Sequence, residues 1–472
     1  MSQDRDPSPS GQRSSLSAMG CALVLAAAFL GWMCAGWQLA ISGLAMRDAS
    51  ADLLRVEFAE LGIAAAGSAA SAPTPLPGPA LIGQFDSDKS GELDDHEKSK
   101  AREASIGGWF GRLIAGFLFG AALGGYVFGW VGDRFGRARA MALSILWYSG
   151  FSAATVYVTD PWTLLVVRFV TCMGVGGMWP NGIALVSEAW PNISRPLLAG
   201  AIGTAANVGI LILNFIASQK HVTVDDWRWI MWLGATPLAL GLFVLIAVPE
   251  SPRWLALRKD RGRQGAAKPV GLGEIFKPPL LWITVLGIAL GTIPLFGGWG
   301  SSNWAMAWAA EVGDPGLKAR VGIARSLPGA ISSLLGGGLA AWMGRRKCYF
   351  MISLGSLVSA QVLFRMLTPH ENEFWFLFWY GSLGFFSGFF FGWLPLCLPE
   401  LFPTRVRATG AGVSFNWGRI LTAIGVLFAG AMLKKYFQGD YATIGTMTSF
   451  IYAFGLVVVF FIPQTARAKL ED

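Results

Sequence analysis

The chain has 472 residues, of which 53% are hydrophobic and only 14% charged. Soluble domains carry roughly a quarter charged residues, so an ordinary cytosolic enzyme is excluded. The net charge of +8 lies mainly in short loops on one side of a series of apolar runs. That is the positive-inside pattern of a polytopic membrane protein, not a nucleic-acid surface.

Residues 1–15 form a polar tail. Twelve apolar runs follow, near 16–46, 109–131, 140–159, 161–187, 196–219 and 229–248, then 278–308, 321–344, 349–368, 374–399, 408–433 and 441–463. Each is near the roughly 20 residues that cross a bilayer. The first run carries no charge from Leu16 to Met46, which exceeds the 7–15 residues or so of a signal-peptide core and reads as a retained helix. Cys21, Cys34, Cys172, Cys348 and Cys397 sit in or at the ends of apolar runs, so no disulfide framework is expected.

Loop 47–108 separates the first two runs and holds much of the chain's acid. Asp48 to Gly62 fits a short amphipathic helix, and Ala64 to Pro79 reads as linker. The stretch 86–97 then fits an EF-hand calcium loop. Asp86, Asp88 and Ser90 present side-chain oxygens, Gly91 permits the turn, Glu92 offers its backbone carbonyl, and Asp94 and Glu97 close the set. Only one such loop is present, so paired-hand cooperativity is absent within a monomer; calcium is the cofactor expected, with affinity in the range of about 0.1–1 mM typical of extracellular modules. No organic cofactor is expected.

The runs divide into an N-terminal half, 16–248, and a C-terminal half, 278–463, joined by the basic loop 249–277, with a short tail at 464–472. Loop charge puts both termini and the central loop in the cytoplasm and the insert 47–108 outside. Two clusters repeat between the halves at nearly constant spacing. Gly129, Gly136, Arg137 and Arg139 return as Gly337, Gly344, Arg345 and Lys347; Glu188, Pro191, Arg195 and Gly200 return as Glu400, Pro403, Arg407 and Gly412. Duplicated halves place a substrate site between them, near the bilayer midplane.

The segment GWVGDRFGRAR, Gly129 to Arg139, resembles the signature loop of the major facilitator superfamily. SEAWPNISR (187–195), PESPRWL (249–255) and PELFPTRVRATGAG (399–412) resemble its sugar, organic-ion and aromatic-acid branches, including synaptic-vesicle-glycoprotein-like members. The resemblance implies an all-α membrane protein of twelve transmembrane helices in two pseudo-symmetric six-helix halves. It also implies gating roles for Gly129, Asp133, Arg134, Gly136, Arg137, Glu188, Arg195, Glu400 and Arg407. Four positions depart from the family pattern: Ala35 and Gln38 stand where first-helix acids are expected, Met178 replaces the acid of the fourth-helix pattern, and Ala341 stands in the second-half gate in place of the Asp133 equivalent.

Within the runs, Arg168, Arg325, Arg365 and Arg419 are ionisable, whereas no Asp, Glu or His falls inside one. A cation at the bilayer centre costs about 2.5–3.5 kcal/mol on insertion scales and ordinarily faces a cavity. Guanidinium groups fork onto carboxylate or phosphate, so Arg168, Arg325 and Arg419 point to an anionic substrate, with Gln38, Asn181 and Tyr380 as polar partners. Arg365 reads as a snorkelling end residue. The expectation is a non-enzymatic plasma (inner) membrane transporter that moves a small organic anion and works as a monomer among membrane lipids, with no nucleic-acid partner. A sugar or polyol carrier and a calcium-responsive sensor are the alternatives.

Overall fold

A computed structural model describes residues 16–55, 58, 93–190, 195–261, 272–311, 314–403, 406–437 and 439–462, and every regular element among them is helical. The N-terminal half contains α1 Ala18–Leu44, α2 Met46–Leu53, α3 Asp95–Phe135, α4 Arg137–Ala154 and α5 Pro161–Ala189. It continues with α6 Arg195–Gln219, α7 Trp229–Ala247 and the short α8 Pro252–Arg261. The C-terminal half contains α9 Leu280–Glu311, α10 Pro315–Met343, α11 Arg345–Met366, α12 Glu373–Glu400, α13 Arg407–Lys435 and α14 Tyr441–Phe461.

With α2 and α8 set aside, these helices follow the twelve apolar runs one for one. Ten are long and apolar enough to cross a membrane. The other two are α4, which opens on Arg137 and Arg139, and α10, which carries Lys318, Arg320 and Arg325.

Local chemistry sets the helix ends, and two ends differ from the hydropathy reading. The second span, expected from 109, starts at Asp95, because Asp94 and Glu97 form a capping box and the polar helix formers after it carry the helix outward. The eighth, expected from 321, starts at Pro315 behind the N-cap Asp314. Asp160 caps α5 in the same Asp-Pro arrangement. Hydrogen bonds from the Thr163 side chain and amide hold the Asp160 carboxyl below the usual carboxylate range. Arg320 and the Gly316 amide do the same for Asp314.

The hairpins α3–α4 and α10–α11 each turn on one residue, Gly136 with φ 117° and Gly344 with φ 88°. Both lie in backbone territory that an L side chain rarely enters. The repeated glycines of the sequence are thus geometrically equivalent.

Each half packs on itself, α3 and α4 against α5 and α1 against α6 in the first, α12 against α10 and α11 in the second. The halves meet along two seams, α3 with α13 and α6 with α10. At Gly111 and Gly430 the α3–α13 seam is so tight that a Cβ on Gly111 would lie 3.2 Å from the Gly430 Cα. Helix α9 is interrupted by a π segment, Gly297–Ser301, just after Pro294. Such segments are frequent at functional sites. The end of the molecule where α1 gives way to α2 is called the insert face below; the end bearing α8 is the central-loop face.

Candidate functional site

Arg419 lies near the middle of α13 and is only 7% exposed. Its Nη1 donates to the Ala121 carbonyl of α3 at 3.3 Å and to Asn416 Oδ1 at 3.2 Å. The guanidinium stands 4.7 Å from the centre of the Phe415 ring. Both acceptors are neutral, and no carboxylate pairs with Arg419 among the described residues. A guanidinium has five N–H donors; here the Nε and Nη2 donors form no hydrogen bond within the described chain. They are the edge that receives a carboxylate side-on.

Arg325, on α10, is half-buried and likewise has no acidic partner among the described residues. Its Nε is buried without a hydrogen-bond acceptor. A Cβ built on Gly298 would lie 3.6 Å from Arg325 Nη2, so the guanidinium rests against the π segment of α9. The adjacent Trp299 packs on Phe117 of α3, ring centres 4.5 Å apart. Tyr380 of α12 is fully buried and donates its hydroxyl to the Ser302 carbonyl at 3.0 Å, which ties α12 to the end of the π segment.

Arg168 and Gln38 are 1% and 0% exposed and bond to each other. Arg168 donates to Gln38 Oε1 at 3.0 Å, to the Gln38 carbonyl at 3.2 Å and to Ser42 Oγ at 3.1 Å. Gln38 Nε2 in turn donates to the Gly234 carbonyl at 3.0 Å. This network locks α1, α5 and α7 together inside the N-terminal half. Asn181 binds the Phe128 and Gly177 carbonyls at 3.0 and 2.9 Å, while its Oδ1 is buried without a donor. The remaining arginines of the spans lie against aromatic rings. Arg365 stands 5.7 Å from Phe450, and Arg112, which the sequence scan leaves out, 4.7 Å from Trp109.

Charged contacts on the central-loop face stay within one half. Arg137 pairs with Asp133 at 2.5 Å, and Arg134 stacks over Trp130 and Phe135. Glu250 accepts the Ala138 amide at 3.0 Å, capping α4 directly after the Gly136 turn. Glu188 accepts the Ser251 hydroxyl, and Ser251 Oγ accepts the Trp254 amide at 3.0 Å to start α8. Across the repeat, Arg345 grips Glu400 with two bonds of 3.1 and 3.0 Å. Arg407 donates to the Phe402 carbonyl at 3.3 Å. Gly129 has open space around its α-carbon, and the Arg195 side chain lies outside the described residues.

The insert face holds the residues that the sequence reading missed. Lys318 of α10 pairs with Asp48 of α2, and both are buried, at 4% exposure each. The same ammonium donates to the Val222 carbonyl at 2.8 Å. Both partners belong to the opposite half, so the contact joins the halves. Beside it Arg47 pairs with Glu103. Burial disfavours the Arg47 cation, but Glu103, Tyr441 and Asp48 hold its pKa above the ordinary value. Trp304 bridges Phe110 and Tyr441 in the same layer. Among the described residues, the insert face is therefore where Asp48–Lys318, Lys318–Val222 and Phe110–Trp304 join one half to the other.

Of the expected calcium ligands, Asp86, Asp88, Ser90 and Glu92 lie outside the described residues. Asp94 accepts the Glu97 amide at 2.7 Å, and Glu97 accepts the Asp94 amide at 3.2 Å.

The chain matches the family model described as Major Facilitator Superfamily over residues 103–426. It is 26% identical over 368 residues to a probable 4-methylmuconolactone transporter of Cupriavidus pinatubonensis, covering 74% of this chain and 81% of that protein. Over 325 residues it is 26% identical to a cis,cis-muconate transport protein of Acinetobacter baylyi, covering 66% and 76%. The inward open xylose transporter XylE from E. coli superposes with a TM-score of 0.61 at 18% identity, covering 95% of this chain and 98% of that one.

Proposed function

The chain belongs to the major facilitator superfamily, and from that premise we propose that it is a secondary transporter of small organic anions, working by alternating access. One observation carries the reading: among the described residues, Arg419, deep in α13, has only neutral acceptors and no partner for its Nε and Nη2 donors. In a low-dielectric setting an unpaired cation is costly, and a carboxylate substrate supplies the missing partner. The chain's likeness to a cis,cis-muconate transport protein and to a probable 4-methylmuconolactone transporter supports the same class of cargo.

The insert face is the exterior gate in its closed state, with Asp48–Lys318 as its latch. The central-loop face is the cytoplasmic side, and both termini lie there, in the inner membrane of a bacterium. A calcium ion held by Asp86, Asp88, Ser90, Glu92, Asp94 and Glu97 belongs to the exterior insert. This part of the proposal rests on the spacing of oxygen-bearing residues in the sequence.

A thermal-shift panel of carboxylates, organophosphates, sugars and organic cations on the purified protein tests the cargo class. A ligand at 100 times its Kd adds about 2.7 kcal/mol of apparent stability. Stabilisation by carboxylates that disappears in Arg419→Gln is the expected result. Stabilisation by sugars alone overturns the anion reading.

A further inference from the structure

Arg419 and Arg325 both lack an acidic partner among the described residues, and the contacts between them trace a path. Arg419 bonds to Ala121 of α3. One turn toward the insert face on the same helix, about 6 Å along the axis, Phe117 packs against Trp299. The neighbour of Trp299, Gly298, carries the Arg325 guanidinium against its α-carbon. Arg419 thus contacts α3 one turn from Phe117, and Arg325 contacts the residue next to Trp299, so both stand close to an aromatic pair contributed by both halves. A monoanion bound at Arg419 leaves Arg325 uncompensated, with its buried Nε unsatisfied.

Building on the anion-transport reading, we infer that the substrate is a dicarboxylate with an unsaturated or aromatic carbon frame. One carboxylate takes the free edge of Arg419, the second takes Arg325, and the flat frame lies on Trp299 and Phe117. Flat π-systems suit an aromatic surface, because offset stacking and edge contacts add to apolar burial. A sugar lacks both charges. A dicarboxylate neutralises both arginines, neither of which has an acidic partner among the described residues.

The test uses acid pairs that share a frame and differ by one carboxylate: trans,trans-muconate against sorbate, and terephthalate against 4-methylbenzoate. Binding to the full-length protein in detergent is measured by titration calorimetry, for the wild type and for Arg325→Gln, Arg325→Lys and Arg419→Gln. The wild type should prefer each diacid by about tenfold or more, the scale of one charge-assisted hydrogen-bonded contact. Arg325→Gln should erase that preference, diacid affinity falling by far more than monoacid affinity, and an unchanged melting temperature shows that the variant is folded. Arg325→Lys should restore part of the preference, and Arg419→Gln should weaken both members of a pair. Equal wild-type affinity for diacid and monoacid, or an Arg325→Gln loss shared by both, overturns the dicarboxylate inference and leaves anion transport standing. If no acid binds the wild type, both readings fall.

Discussion

Asp48 and Lys318 form an ion pair buried on both sides, and it ties α2 of the first half to α10 of the second. A buried pair adds little net stability relative to apolar replacements, but removal of one partner strands the other charge and costs about 3–5 kcal/mol. For a gate, that cost is escaped by opening. Asp48→Asn should therefore move the protein toward an exterior-open state, detected as faster labelling of a cysteine placed at Gly43, which packs against Met306 in the closed seam. The double variant Asp48→Asn, Lys318→Met should return labelling toward the wild-type rate. Independent, additive effects of the two substitutions would show that the pair is no latch.

Arg168 is predicted to be a positioning residue of the N-terminal half. Its replacement by Met leaves the Gln38 side chain and Ser42 with unmet hydrogen bonds, at a cost of about 1–3 kcal/mol per stranded polar group. The expected outcome is a lower melting temperature with carboxylate affinity unchanged in the protein that remains folded. A selective loss of affinity at wild-type stability would instead place Arg168 in the substrate site.

Gly136 and Gly344 share one backbone conformation but not one environment. A Cβ on Gly136 would meet the Glu250 carboxylate that caps α4, whereas Gly344 has nothing within 4 Å. Alanine at either position incurs backbone strain of about 1–3 kcal/mol. Gly136→Ala should cost more, because it also displaces the cap. Thermal unfolding of the two variants checks the order, and a reversed order would contradict the capping role of Glu250.

The hairpins and the twelve spans were legible because their determinants are local: apolar length, Asp-Pro caps and a glycine at each turn. The latch was not. Apolar residues run unbroken past the helix break at Ala45, so Arg47 and Asp48 look like the start of a solvated loop. Only the fold buries them, Asp48 against Lys318, 270 positions away, and Arg47 against Glu103, 56 positions away. For the same reason, Arg168 and Arg419 look alike in the sequence as single cations in apolar runs. Their difference lies in the partners: Arg168 makes three hydrogen bonds to Gln38 and Ser42, all inside its own half, whereas Arg419 makes two, one of them across the seam to Ala121 of the other half. The interruption of α9 had a visible sign in Gly297, Gly298 and Gly300, yet glycines are also common in ordinary membrane helices.

Calcium is expected to stabilise the wild type at concentrations of about 0.1–1 mM. Glu97→Gln is a clean probe, because Gln preserves a capping box while it removes the bidentate charge. The variant should match wild-type stability in chelator and lose the calcium response. Calcium indifference of the wild type would remove the site.

The central claim is that Arg419 receives the carboxylate of the cargo. Uptake of radiolabelled muconate into proteoliposomes tests it most directly, with wild type and Arg419→Gln reconstituted at equal density. Saturable uptake by the wild type and a loss of about tenfold or more in the variant, the scale of a charged hydrogen bond, is the predicted result. Uptake by Arg419→Gln with unchanged apparent affinity and rate would contradict the account.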